Sequence, residues 1–93
     1  MLSFEQKQAI FDSFNCLERK EFKDGRVGYN FKDSRLRKKQ IACQLAYTGN
    51  GYVYVQYIEE YRKKADARGY LNIKHLNANE LKILIEKVIE SFS

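Results

Sequence analysis

Asp33-Ser34-Arg35-Leu36-Arg37-Lys38-Lys39-Gln40-Ile41-Ala42-Cys43-Gln44-Leu45-Ala46-Tyr47-Thr48-Gly49 is the stretch on which the fold turns. Two physical signals compete in it. Arg, Leu, Lys, Gln and Ala are good helix formers, Asp33 or Ser34 stands where an N-cap belongs, and Gly49 stands where a left-handed C-terminal cap belongs. The same residues also alternate: Ile41, Cys43, Leu45 and Tyr47 would share one side of a strand, which would make residues 48–51 a hairpin loop. The low β-propensity of Ala42, Gln44 and Ala46 favours the helix. The expectation is therefore a second helix running to about Ala46.

The flanks are easier to read. Upstream, Ser3 and Gln6 have capping-box spacing, and Phe4, Ile10, Phe11, Phe14 and Leu17 fall within one arc of a helical wheel. Asp24-Gly25 is a turn signal. Arg26 to Lys32 alternates, with Val27, Tyr29 and Phe31 on one side and Gly28 and Asn30 on the other, as a half-buried strand does. Downstream, Tyr52 to Ile58 reads as a second strand, Ile58 to Arg68 as a short solvated helix ending at Gly69, and Tyr70 to Lys74 as a third strand. Asn77 and Glu80 cap a last helix. Its apolar stripe is Leu81, Leu84, Ile85, Val88, Ile89 and Phe92, and Ile83 points away from it. The sum is one α+β domain over residues 1–93, a small three-stranded, mainly antiparallel sheet packed with three to four helices, the first and last elements helical.

Composition bounds the function. Ninety-three residues with 44% hydrophobic and 31% charged side chains can fold around one core. No apolar run is long enough to span a bilayer, and Leu2 to Gln6 has neither the basic nor the apolar region of a signal peptide. The expected compartment is the cytoplasm, with no membrane partner. Abundant Phe, Tyr, Asn, Lys and Ile, with no Pro or Trp, suggest a low-GC bacterium or phage as source. Cys16 and Cys43 are too few for a disulfide framework and form no C-x-x-C pair.

The net charge of +5 is concentrated. Nine basic residues from Arg19 to Lys39 face three acids, a surplus able to focus a local field. Arg35, Arg37, Lys38 and Lys39 are its densest run and the candidate phosphate contacts. The tyrosine strand supplies candidate stacking rings. Alternation places Val53, Val55 and Tyr57 in the core and Tyr52, Tyr54 and Gln56 on the other side; Leu71 and Ile73 inward leave Tyr70, Asn72 and Lys74 outward. Bases stack on exposed rings at about 1–3 kcal/mol each. Set against the aromatic strand motif of RNA-recognition domains, Gly51, Tyr52, Tyr54, Val55 and Tyr57 match but Asn50 and Val53 do not, and that fold begins with a strand. The motif is therefore not assigned.

Catalytic and metal chemistry find no foothold. His75 is the only histidine and has no ligand-spaced neighbours. Gly49-x-Gly51 lacks the rest of a phosphate-binding loop, and Glu59-Glu60 point in different directions on a helix. The expectation is a non-enzymatic binding module without metal or cofactor. Its leading partner class is protein, including self-association, with Ile83 as the contact. The alternative is nucleic acid, through Arg35, Arg37, Lys38, Lys39, Tyr52, Tyr54, Tyr70 and Lys74. An enzyme with an unrecognised site ranks third.

Overall fold

A computed structural model describes residues 2–93. The chain runs α1 (Phe4–Asp12), β1 (Leu17–Glu21), β2 (Val27–Phe31), β3 (Gln40–Leu45), β4 (Tyr52–Tyr54), α2 (Glu59–Arg62), β5 (Tyr70–Asn72) and α3 (Ala78–Phe92). The α+β class and the helical ends are as expected. The sheet is larger than expected: five antiparallel strands in the order β1-β2-β3-β4-β5, a meander in which every strand pairs with its sequence neighbour.

Four of the expected elements are corrected. Residues 33–46 are not a helix; they form a loop and then β3. Val27–Phe31 on one side and Tyr52–Tyr54 on the other need hydrogen-bonding partners, and β3 supplies them, pairing Tyr29 with Ala42 and Ala42 with Val53. Tertiary pairing here overrides helix propensity. Simple alternation fails as well, because β3 carries two register shifts against β2, and Gln44 adopts φ 56. Ile41, Ala42 and Leu45 all reach the core as a result, while Tyr47 lies 85% exposed in the loop.

The first helix ends at Asp12, and Leu17–Glu21 is an edge strand that pairs with β2. Its charged sequence hides it from periodicity and suits an edge, since charges discourage pairing with other chains. Glu18 reaches Lys32 across the strands at 3.2 Å. The strand from Tyr52 stops at Tyr54, so Tyr57 lies 55% exposed instead of in the core. The solvated helix is the single turn α2.

Both long helices begin as their sequences specify. Ser3 and Gln6 exchange side-chain bonds with each other's backbone N–H, at 3.1 and 2.9 Å, and Asn77 and Glu80 do the same at 2.8 and 3.0 Å. α3 buries Leu81, Leu84, Ile85, Val88 and Phe92 against Val27, Tyr29, Phe31, Val53, Val55 and Ile73. Each such side chain stabilises the fold by roughly 1.5–3 kcal/mol relative to exposure. From α1, Phe11 stacks on Tyr29 with ring centroids 4.6 Å apart. The Arg35 amide donates to the Phe92 carbonyl at 3.0 Å, so the basic loop closes the C-terminal end of α3.

α1 also contributes a buried cation. Lys7 is fully buried, and its ammonium donates to the Gly49 carbonyl at 2.6 Å and the Lys74 carbonyl at 3.3 Å. Burial, helped by the nearby Lys74 charge, lowers its pKa from the usual lysine value.

Candidate functional site

The two faces of the sheet are used differently. Val27, Tyr29, Ala42 and Val53 belong to the helix-covered core. Their neighbours along the strands point the other way: Gly28 opposite Lys20, Cys43 opposite Tyr52, Tyr52 opposite Asn72, and Tyr54 opposite Tyr70. On this second face lies a groove of about 410 Å³, lined by Phe22, Asp24, Arg26, Gln40, Cys43, Gln44, Tyr52, Arg68 and Tyr70. None of these residues belongs to a helix.

Two turns of similar construction make its walls. In the β1–β2 turn, Gly25 takes φ +88, the Asp24 carboxylate accepts the Arg26 amide at 3.0 Å, and the Phe22 amide donates to the Arg26 carbonyl at 2.9 Å. This fixes Phe22 and Arg26 on one rim. Before β5, Gly69 takes φ +90, and one Asp66 oxygen accepts the amides of Arg68 at 2.8 Å and Tyr70 at 3.0 Å. These backbone bonds, that of Tyr70 foremost, hold the Asp66 carboxyl below its ordinary pKa. Arg68 and Tyr70 are fixed on the opposite rim. Each arginine also lies near its own turn's acid, Arg26 at 3.6 Å and Arg68 at 3.2 Å. Such exposed pairs bind weakly and can be displaced by another anion.

The floor carries polar groups. A side chain on Gly28 would come 3.1 Å from the Ala42 carbonyl, 3.2 Å from the Gln40 amide and 3.5 Å from the Phe22 ring, so glycine is what lets the ring and the amide lie against the sheet. Among the described residues, neither Gln40 nor Gln44 has a side-chain hydrogen-bond partner. The Cys43 thiol is held above its ordinary pKa by burial, which outweighs the opposing pull of Lys38 and Arg68, and it stays neutral.

The residues expected from sequence are distributed unevenly about this groove. Tyr52 and Tyr70 line it. Lys38 stands behind Tyr70, donating to its hydroxyl at 2.6 Å and lying 4.6 Å from the centre of the Tyr54 ring. Tyr54 is built into an aromatic cluster, with ring centroids 5.1 Å from Tyr70, 5.8 Å from Tyr57 and 6.1 Å from Phe92. Its ring is a support, not a free stacking surface. Lys39 donates to the Ser34 carbonyl at 3.0 Å, and Arg35 and Arg37 project from the same loop outside the groove. Lys74 lies outside it too, its carbonyl held by Lys7.

Ile83 is 48% exposed and borders a separate cleft of about 320 Å³ with Tyr61, Leu71 and Leu76. His75 is exposed, and the described residues contain no cluster of His, Cys, Asp and Glu able to hold a metal ion. Among the described residues no helix is long and apolar enough to cross a membrane.

The sequence reading missed Phe22, Arg26, Gln40 and Gln44. Asp24-Gly25 and Gly69 had marked both turns, so the arginines beside them were the available signal. Comparison with protein-family models, curated proteins and solved structures finds no match to this chain.

Proposed function

We propose that this protein is a non-catalytic binding module whose working surface is the open face of the sheet, and that its ligand is single-stranded nucleic acid. The observation that carries this reading is the groove, where Arg26 with Phe22 on one rim and Arg68 with Tyr70 on the other share one lining with Tyr52. Cations in reach of phosphates and rings in reach of bases are the two elements that single-strand binding needs. Arg68 and Lys38 lie 5.5 and 5.1 Å from the Tyr70 ring centre, so Tyr70 holds cations at the groove while Phe22 and Tyr52 are the rings left open to a base. The protein's net charge of +5 favours encounter with a polyanion.

The test is fluorescence anisotropy with labelled 12-mer single strands over a salt series. Two to three phosphate contacts correspond to a slope of log K against log salt of about −1.4 to −2. Arg26→Glu/Arg68→Glu should abolish most of the binding and flatten the slope. Absence of binding at low salt would remove the reading.

A second surface supports a second reading, a protein contact with another copy of this chain. Ile83 projects beside the cleft of Tyr61, Leu71 and Leu76, and Glu60, Lys64 and Glu80 line the same cleft. A patch carrying both an apolar knob and an apolar hollow, with both charge signs around them, is complementary to itself across a two-fold axis.

A further inference from the structure

We infer that the groove is a nucleotide pocket, seating one unstacked base against its rings, with Gln40 and Gln44 hydrogen-bonding the edge of the base and Arg26 and Arg68 taking phosphate. The inference deepens the nucleic-acid reading and rests on it for the ligand class, while its own claim concerns a single site.

Size is the first argument. About 410 Å³ is room for a small organic ligand, roughly 300–1,000 Å³, and of the clefts of this size among the described residues this one joins arginines to aromatic rings and amides.

The rings are the second. Phe22 is 50% exposed at the tip of a hairpin, with one edge over Gly28. With Tyr52 and Tyr70 it forms an apolar lining on a face that otherwise carries charges and amides. A flat aromatic ligand covers that lining without burying a charge.

The third argument comes from the amides. A glutamine side chain offers a paired donor and acceptor. Both Gln40 and Gln44 hold these groups in the groove without an internal partner among the described residues. In single strands the hydrogen-bonding edge of a base is free and is what proteins read. Gln44 has the left-handed backbone, φ 56, inside a strand. Such conformations collect at ligand sites. Asp24, the groove's one acid, already has an oxygen engaged with the Arg26 amide at 3.0 Å. The neutral Cys43 thiol adds no negative charge to the floor.

Two measurements on the full chain test this. In the first, AMP, CMP, GMP and UMP are titrated separately into labelled protein and followed by amide resonances, with ribose 5-phosphate as the base-free probe. The expected result is saturable shifts confined to the groove, Arg26, Arg68 and Tyr70 included, with ribose 5-phosphate at least about tenfold weaker, the size of a lost stacking contact. In the second, 12-mers with and without a central abasic site are compared on the wild type, Gln40→Ala/Gln44→Ala and Phe22→Ser. The glutamine variant should lose about tenfold for the preferred base and keep the wild-type salt slope. Both variants alter exposed or half-buried side chains outside the core.

Strands that bind regardless of the abasic site and of both variants would overturn the pocket and leave the nucleic-acid reading standing. Mononucleotides that fill the groove while no strand is retained would support the pocket and overturn the strand reading. If neither class of probe binds, both fall.

Discussion

Lys7→Met is the substitution whose outcome the structure constrains most tightly. Methionine keeps the apolar stem and removes the ammonium, which is fully buried and meets two carbonyls, those of Gly49 and Lys74, with no carboxylate partner among the described residues. Two large terms oppose each other near neutral pH. Bonds from a charged donor are worth about 1.5–3 kcal/mol each, while taking an ammonium out of water costs several kcal/mol. The lowered pKa means that the second term weighs heavily. A neutral amine still has two N–H donors for two carbonyls and escapes the dehydration cost, so deprotonated Lys7 is the better staple.

The pH dependence follows with a definite sign. Lys7 has a lower pKa folded than unfolded, so between its folded value and 10.5 the unfolded chain binds more protons, and stability rises with pH in that window. Each unit of depression is worth about 1.4 kcal/mol. Urea unfolding of the wild type and Lys7→Met at pH 7, 8, 9 and 10 measures it. The wild type's advantage should grow across the series and approach the worth of two neutral hydrogen bonds, about 1–3 kcal/mol, at pH 10. Tyr29, whose pKa burial and the bond to Asp12 raise above 10, loses stability only beyond that point and is common to both proteins. A difference that stays constant from pH 7 to 10 would refute the argument.

Two further outcomes bear on the site and on assembly. Gly69→Ala places a Cβ 2.7 Å from the Gln56 side-chain oxygen at φ +90; the strain should lower stability by about 1–3 kcal/mol in chemical unfolding and, by moving Arg68 and Tyr70, weaken strand binding as well. Ile83→Asp should convert any concentration-dependent dimer into a monomer in sedimentation experiments without changing the unfolding midpoint at concentrations where the wild type is monomeric, and a wild type that stays monomeric at high concentration would remove the self-association reading.

Legibility from sequence followed the kind of signal each element carried. α3 was readable because fifteen residues repeat one stripe and a polar pair caps it. β2 was readable because Val27, Tyr29 and Phe31 alternate without interruption. β1 was not, since Leu17–Glu21 has one apolar residue in five and its strand state exists only through pairing with β2. β3 defeated both templates at once: its residues favour helix, and its two register shifts against β2 break the alternation by which a strand is recognised. Tyr57 was misplaced because alternation was carried past Tyr54, where the ladder ends. The candidate site was half legible for a related reason. Tyr52 and Tyr70 follow from strand parity, but the partners that give them a use arrive from β3 and from two turns, and only the five-strand order places those beside them.

The division of labour between the faces explains why the strongest charge run is a poor guide to the site. Residues 35–39 hold nearly a quarter of the basic side chains, yet the fold spends that loop on structure: the Arg35 amide closes α3, Lys38 holds the Tyr54–Tyr70 pair, and Lys39 ties the loop to Ser34. The arginines on the groove are isolated in sequence and brought together by two Asp-braced turns. Phe22, Arg26, Gln40 and Arg68 stand outside the hydrophobic core cluster, so substitutions there can report on binding separately from folding. Gly28 and Gly69 are the exceptions. A side chain at Gly28 pushes against the β3 backbone, and one at Gly69 against Gln56, so at these two positions alone the shape of the groove and the stability of the sheet cannot be varied independently.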